Sequence, residues 1–129
     1  MTTWTEDELT RIGSAEELEI ASRRTDGTLR TPRTIWVVRV GGDLYVRSVN
    51  GVTSDWYRGT RTSHEGRVDA GGATRDVALV DVGAETAEQV DAAYRAKYRR
   101  YAASIIDAIT SPTAREATIK LVPAGTTRG

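Results

Sequence analysis

The sequence has 129 residues, of which 39% are hydrophobic and 28% are charged, and its 18 Lys and Arg side chains are balanced by 18 Asp and Glu side chains. This length predicts a single domain over residues 1–129, and the zero net charge argues against a nucleic-acid-binding surface, which needs a basic excess. The chain has no cysteine, which excludes disulfides, thiolate nucleophiles and sulfur-ligated metals. His64 is its single histidine, which excludes a metal site with two or more histidines from one chain.

The N-terminal segment predicts a short helix followed by a strand. Thr5 and Glu8 form a capping-box pattern, and the apolar spacing predicts a helix over residues 5–12. The same segment is acidic and has no long apolar run, so it resembles neither a signal peptide nor a membrane anchor, and we expect a cytoplasmic protein without a membrane partner. Residues 17–23 alternate apolar and polar side chains, which predicts a half-buried strand.

The clearest element is a hairpin around the turn Gly41-Gly42. Two runs rich in β-branched and aromatic residues, 34–40 and 43–49, flank this turn and predict antiparallel strands. If Val40 lies opposite Asp43, apolar side chains point to both faces of the hairpin. A hairpin that is covered on both faces belongs in a barrel or at a dimer interface.

A second hairpin and a long helix follow in the sequence. Residues 66–70 and 74–82 flank a Gly-Gly turn and predict two more strands. A helix is predicted from Thr86 to the break at Ser111-Pro112, because apolar residues recur at intervals of three and four. The apolar stripe of this helix consists of Val90, Tyr94, Tyr98, Tyr101, Ile105 and Ile109.

The C-terminal part predicts a last strand at 116–123, followed by a polar tail, 124–129, that we expect to be disordered. The chain then has about six antiparallel strands, a short N-terminal helix and a long late helix. Strands that come as hairpins without intervening helices do not form a doubly wound parallel sheet. The pattern instead predicts a mainly β fold with helices (α+β), a small antiparallel barrel with a helix packed against it.

Arg47 is the most informative candidate for a functional residue. The predicted pairing places it beside Trp36 on an otherwise apolar face, and a buried guanidinium needs an anionic partner. One possibility is a structural ion pair with Asp43, Asp55 or a carboxylate across a dimer interface. The other is the phosphate or carboxylate of a ligand.

The segment Trp56-Tyr57-Arg58 also has two interpretations. Aromatic faces and an arginine suit a flat anionic ligand, but an aromatic pair also closes the end of a barrel. Asn50-Gly51 is most simply a turn. His64 lies in a polar loop, where we expect an exposed side chain rather than a catalytic one. The aspartates show no spacing typical of a metal-binding loop, so no metal site is predicted.

These residues lead to a family resemblance. The hairpin "RTIWVVRV" and "DLYVRSV", with Trp-Tyr-Arg and a second hairpin after it, resembles the split β-barrels that bind flavin mononucleotide (FMN), whose relatives use a deazaflavin or pyridoxamine phosphate. The motifs "SDWYRG", "AAYRAKY" and "ATIKLVP" are similar to the uncharacterised bacterial family called domain of unknown function 2255, over most of the chain. The resemblance implies a homodimer that holds a cofactor across the subunit interface. The positions that match the phosphate-binding region are Arg47, Ser48, Asn50, Trp56, Tyr57 and Arg58.

The resulting hypothesis is an oxidoreductase that uses FMN or a deazaflavin to reduce a small organic substrate, since a cofactor supplies the chemistry that the side chains lack. Arg47, Ser48 and Arg58 are expected at the phosphate. Trp56, Tyr57 and Trp36 are expected at the ring. The sequence lacks the Arg-Lys pair that follows this strand in flavin oxidases, and this favours the alternative, a cofactor-free module of the same fold that binds a small molecule or another protein. Neither hypothesis assigns a catalytic residue.

Overall fold

The computed structural model describes residues 3–82 and 86–124, and the fold is given for that part of the chain. The strands are β1 Leu18–Ser22, β2 Arg33–Ile35, β3 Val37–Val40, β4 Asp43–Arg47, β5 Glu65–Ala70, β6 Ala73–Asp81 and β7 Thr118–Pro123. The helices are α1 Glu6–Gly13, α2 Asp55–Ser63, α3 Ala87–Lys97, α4 Ala103–Ile109 and α5 Pro112–Glu116, with a 3-10 turn at Gly51–Thr53. Of the predicted tail, residues 125–129 lie outside the described residues.

The strands form one antiparallel sheet in the order β2-β1-β5-β6-β7-β4-β3. β2 and β3 lie at opposite edges of this sheet, although Trp36 alone separates them in the chain. The sheet must therefore curl until its two edges meet at Trp36, which makes a nearly closed barrel. The predicted α+β split barrel is confirmed, with seven strands instead of about six.

The predicted hairpin register is also confirmed, because Val40 pairs with Asp43 and Val37 pairs with Val46. Its first strand, however, is shorter than the predicted 34–40. The chain turns at Trp36, since the residues before it pair with β1 and those after it pair with β4. The alternation of apolar residues continues through this turn, so the sequence pattern does not reveal the change of partner.

Both faces of the hairpin are covered, as predicted, and each faces its own core. Val37 and Val46 belong to the larger core, inside the barrel, which α1 closes through Leu9 and Ile12. The smaller core lies between the outer face of the hairpin and the late helices. It contains the side chains of Val38, Tyr45, Val90, Tyr94, Tyr98 and Ile109.

The predicted single long helix is wrong, because the chain forms α3 and α4 with a turn between them. Tyr98, which is fully buried, caps the end of α3, and its hydroxyl donates to the carbonyl oxygens of Glu16 and Val37. Ala102 then adopts extended backbone (ψ 145). These tertiary contacts override the helical periodicity. Thr86 occupies the N-cap position of α3, but its hydroxyl makes no capping hydrogen bond among the described residues.

Two helices were not predicted. α2 begins at the cap Ser54, whose Oγ accepts a hydrogen bond from the amide of Tyr57. α5 begins at Ser111, with Pro112 in its first turn, so the residues interpreted as a helix break are in fact a helix start. Among the described residues, no helix is both long and apolar enough to cross a membrane.

Candidate functional site

A groove of about 790 Å³ opens where the edges of the barrel meet. It runs from β2 and Trp36, past the end of β4 at Arg47 and Ser48, to the turn before α2 and to Ile105 of α4. The volume lies in the range of about 300–1,000 Å³ that is typical of small-molecule sites. We call this feature the seam groove.

The structure brings most of the predicted cofactor-binding residues to the seam groove. Those that line it are Trp36, Arg47, Ser48, Asn50 and Trp56. Tyr57 and Arg58 do not line it. Other lining residues were not predicted as site residues, among them Arg33, Thr53, Ser54 and Ile105. Ser54 stands before Asp55 in a pattern that is typical of a helix start, and this pattern could have located Ser54. Ile105 was assigned to the apolar stripe of a helix.

Helix geometry explains why Trp56, Tyr57 and Arg58 point in different directions, because successive side chains on an α-helix are about 100° apart. Tyr57 is 1% exposed in the barrel core, and its hydroxyl donates to Asp81 at 2.7 Å. Burial, reinforced by the Asp81 carboxylate, raises the pKa of Tyr57 to about 12. Arg58 is exposed and pairs with Asp55 at 2.6 Å. Tyr57 therefore closes the barrel, and Trp56 alone of the three faces the groove.

Arg47 is fully buried and makes a structural ion pair within its own chain. Its Nη1 donates to Asp91 Oδ1 at 2.5 Å and to the carbonyl oxygen of Ile109 at 3.1 Å. Its Nε donates to Thr118 Oγ1 at 2.8 Å, and its Nη2 to the carbonyl oxygen of Ala87 at 3.3 Å. The side chain thus ties β4 to β7, α3 and α4 behind the groove. A cofactor contact through Arg47 stays a prediction. One N–H of Nη2 makes no hydrogen bond among the described residues and is the donor that such a contact would use.

The carboxylate that pairs with Arg47 is Asp91, and neither Asp43 nor Asp55 fills that role. Asp43 lies 3.8 Å from Lys120, and Asp55 pairs with Arg58. The sequence pattern gave one signal for Asp91, which follows Val90 of the apolar stripe and so lies at the edge of the buried helix face.

Asp91 also accepts hydrogen bonds from a second arginine, Arg115, at 2.9 and 2.5 Å. The Asp91 side chain is 2% exposed, so one buried carboxylate is shared by two guanidinium groups. Together the three side chains carry a net charge of one positive unit, and one of them, Arg47, directly precedes Ser48 and lines the groove. This charge favours an anion at the adjoining end of the seam groove.

Hydroxyl groups line that same end of the groove. Ser48 Oγ and Ser54 Oγ lie 2.7 Å apart, and one hydroxyl proton joins them, so the second remains available for a ligand. Gly51 fixes the turn between them, because it has φ 75 and a Cβ there would lie 2.5 Å from Thr113 Cγ2. Asn50 precedes Gly51 with an exposed side chain. We call Ser48, Asn50, Thr53 and Ser54 the hydroxyl end of the groove.

The opposite wall is aromatic and rigid. The rings of Trp36 and Tyr98 stack with centroids 3.8 Å apart and an interplanar angle of 2°. Tyr101 packs against Trp36 at 4.8 Å. Next to this stack, Lys97 Nζ donates to the carbonyl oxygen of Val37 at 2.6 Å, and burial lowers the pKa of Lys97 to about 8.

His64 is exposed, as predicted, and ends α2 with left-handed backbone (φ 57). It does not line the seam groove. Among residues 3–82 and 86–124, no group of three or more His, Cys, Asp or Glu side chains is arranged to hold a metal ion.

Three solved structures share the fold of this chain. The heme storage protein HutZ from Vibrio cholerae is 14% identical with a TM-score of 0.64, and the match covers 94% of this chain and 91% of HutZ. The conserved hypothetical protein Rv2991 from Mycobacterium tuberculosis is 14% identical with a TM-score of 0.59, over 98% of this chain and 84% of the other. A structure described as an F420 reductase is 15% identical with a TM-score of 0.54, over 96% and 97%.

The structural similarity establishes the split-barrel fold, but at identities this low it does not establish a shared ligand. No curated protein matches the sequence. Residues 8–121, however, match a family described as "Uncharacterized protein conserved in bacteria (DUF2255)". This match extends over most of the described barrel, from α1 to β7, and the chain therefore belongs to that family.

Proposed function

We propose that the seam groove binds a flavin-type cofactor, FMN or a deazaflavin, and that the protein uses it as a homodimer to reduce a small organic substrate. The observation that carries this proposal is the pairing of a flat aromatic wall with a hydroxyl end in one groove. Such a groove matches a ligand with a planar ring and a phosphate. The F420 reductase among the structural neighbours supports the same ligand class.

Trp36 and Trp56 are the residues for the ring of the cofactor. Both line the groove, and Trp36 is held in place by its stack on Tyr98. Aromatic side chains pack well on flat conjugated rings. A bound flavin or deazaflavin would supply hydride transfer, so the protein needs no cysteine, histidine or metal of its own for that step. Its residues bind and orient the cofactor and shield it from water.

The hydroxyl end suits the phosphate of the cofactor. Ser48 and Ser54 together have one proton to donate, and the Asn50 amide adds further donors. Behind them, the positive charge that Arg47, Arg115 and Asp91 leave uncompensated attracts an anion. We propose that Arg47 acts mainly through this charge, with its Nη2 as its one donor toward the ligand.

The donor set of the groove fits a flavin better than a haem, the ligand in the description of HutZ. Haem iron is ordinarily held by a His, Cys, Met or Tyr side chain. The described residues that line the groove include none of these four types.

A second copy of the chain would complete the groove. Val49, Val52 and Ile105 lie at or next to its rim with 48%, 42% and 46% of their surfaces exposed. Apolar side chains that cluster on a surface mark an interaction site. The resemblance to the split barrels implies the same position for the dimer interface, and these two arguments together support a homodimer.

Tryptophan fluorescence tests the proposal directly. FMN and a deazaflavin are titrated separately into the purified protein, and we expect saturable quenching by at least one of them. Trp56→Leu should weaken its binding about tenfold, because one of the two aromatic side chains proposed for the cofactor ring is lost. The matched control is Trp4→Phe, since Trp4 is buried against Leu121 and does not line the groove.

Absence of quenching and of a thermal shift with both cofactors would contradict the proposal. That outcome would favour the alternative, a cofactor-free module that binds a small molecule or another protein through the same groove. A flavin that binds equally well to wild type and Trp56→Leu would place the cofactor elsewhere.

A further inference from the structure

Three arginines, two in the loop after β1 and one at the start of β2, differ from most others in the protein. Arg24, Arg30 and Arg33 have no carboxylate partner among the described residues. Arg24 donates only to the oxygens of Thr28 and Leu29. Asp26 of the same loop attracts Arg24, and the pKa of Asp26 is lowered by hydrogen bonds from Thr28 and by the charge of Arg24. Arg30 and Arg33, without an ion pair among the described residues, leave a positive local surface.

These three arginines surround a second cavity, of about 190 Å³, which we call the arginine pocket. Ser22 and Thr31 add hydroxyl groups to its lining. The pocket adjoins the seam groove, because Arg33 and Trp56 line both. Asp55 is the acidic residue in the lining, and its carboxylate is already paired with Arg58 at 2.6 Å.

Arg30 has the most unusual environment of the three. Its Nε is buried without a hydrogen-bond partner in the described part of the chain, and its Nη2 makes only a long contact, 3.4 Å, with Thr62 Oγ1. A buried N–H without a hydrogen-bond partner is unfavourable, so a group that accepts a hydrogen bond from Arg30 Nε would stabilise the site.

Gly59 of α2 gives Arg30 its space. A Cβ at Gly59 would lie 3.1 Å from both Nε and Cδ of Arg30, and 2.9 Å from Ser22 Oγ. Glycine inside a helix is less favourable than alanine, so this position keeps backbone close to the arginine at a cost to the helix. The helix surface is thus shaped to accommodate the Arg30 side chain at the edge of the pocket.

We propose that the arginine pocket is an anion subsite, which takes a phosphate or carboxylate group of the substrate whose reacting part lies in the seam groove. Guanidinium groups match both anions through paired hydrogen bonds, and the small cavity has room for a group of that size. The substrate assignment rests on the proposed function and narrows it to acidic small molecules. Binding of the anion itself does not depend on the cofactor.

The test uses the full-length protein without added cofactor and two probes, inorganic phosphate and malonate. Each is titrated by calorimetry at constant ionic strength. We expect saturable binding of at least one probe, weakened about tenfold or more in Arg30→Gln and in Arg33→Gln, because each loses charged hydrogen bonds. Arg95→Gln is the matched control, since Arg95 is an exposed arginine on α3 that forms no ion pair with the residues the structure describes. It should bind like wild type.

Ser54→Ala separates the arginine pocket from the hydroxyl end of the groove. Phosphate binding that falls in Ser54→Ala but not in the Arg30 and Arg33 variants would place the anion in the groove and overturn the proposal. Absence of saturable binding of both probes would overturn it as well. The probe that binds more tightly identifies the acid group. Because Arg33 is exposed, Arg33→Gln is informative even if Arg30→Gln does not fold.

This result is independent of the cofactor titration. Anion binding that depends on Arg30 and Arg33, in a protein that shows no flavin binding, would support the subsite and contradict the proposed function. Flavin binding without anion binding at Arg30 and Arg33 would support the proposed function and contradict the subsite.

Discussion

Arg47 and Asp91 form an ion pair of 2.5 Å in which neither side chain is more than 2% exposed. The pair joins the end of β4 to α3 at the point where the seam groove has its polar end. Asp91 also forms an ion pair with Arg115 at 2.5 Å, so a single carboxylate binds two arginines. A buried pair of this kind is unfavourable to break, because the remaining charge stays in the protein interior.

Asp91→Asn should therefore lower the free energy of unfolding by about 3–5 kcal/mol. Urea denaturation followed by circular dichroism measures the change. The matched control is Asp55→Asn, which breaks an exposed pair with Arg58 and should change the free energy by about 1 kcal/mol or less. Equal effects of the two substitutions would contradict the structural importance of the buried pair.

Tyr57→Phe separates stability from ligand binding. It removes the hydroxyl that donates to Asp81, so the free energy of unfolding should fall by about 0.5–1.5 kcal/mol. Since Tyr57 does not line the seam groove, the affinity for FMN or a deazaflavin should stay within about twofold of wild type. Fluorescence titration and urea denaturation give the two values. A tenfold loss of affinity at unchanged stability would instead place Tyr57 at the cofactor.

The pH dependence of stability should report on Lys97. Burial lowers the pKa of this side chain from 10.5 to about 8 in the folded protein, against the opposing effect of the Glu16 carboxylate. Between these two values the unfolded chain carries a proton that the folded chain lacks, so the free energy of unfolding should rise with pH. Above about pH 10 the free energy of unfolding should fall again. Tyr57, with its pKa raised to about 12, keeps its proton in the folded protein, whereas it loses that proton in the unfolded chain.

Urea denaturation at pH 7, 8, 9 and 10 tests this dependence. Lys97→Met should abolish the rise between pH 8 and 10, whereas Lys120→Met, at a half-exposed lysine on β7, should keep it. A rise that persists in Lys97→Met would assign the proton to another group.

The proposed homodimer predicts that the same substitution has different effects at two exposed valines. Val49→Glu places a charge at the rim of the seam groove and should yield a monomer, because burying an unpaired carboxylate at an interface is unfavourable. Val80→Glu is the control, since Val80 is 41% exposed on β6 and does not line the groove. Light scattering after size-exclusion chromatography measures the mass. A monomeric wild type, or a dimer that only Val80→Glu disrupts, would contradict the proposed interface.

Local patterns predicted most of the barrel. Alternation and the Gly-Gly turn specified the hairpin and its register, and the capping box at Thr5 placed α1 correctly. What the sequence did not reveal depends on distant contacts. The turn at Trp36 follows from pairing with two different strands, and the break between α3 and α4 follows from contacts of Tyr98 with the distant Glu16 and Val37 carbonyl groups.

The same distinction holds for the candidate site. Ser48 and Asn50, at the end of β4, were named as candidates through the resemblance to the split barrels, and both line the seam groove. Asp91 was not found, since its distance from Arg47 depends on how α3 packs against the hairpin. The arginines of the arginine pocket were not found either, because the sequence does not show which cations lack an acid nearby.

The position of β7 in the sheet has a consequence for the synthesis of the protein. This strand comes last in the described chain, but it lies between β6 and β4 and is the link between the two parts of the sheet. Until residues 118–123 leave the ribosome, β2-β1-β5-β6 and β4-β3 remain separate fragments, and Arg47 lacks its Thr118 partner. The groove is therefore complete only after β7 has left the ribosome, and a small molecule can bind in the complete groove only from that point on.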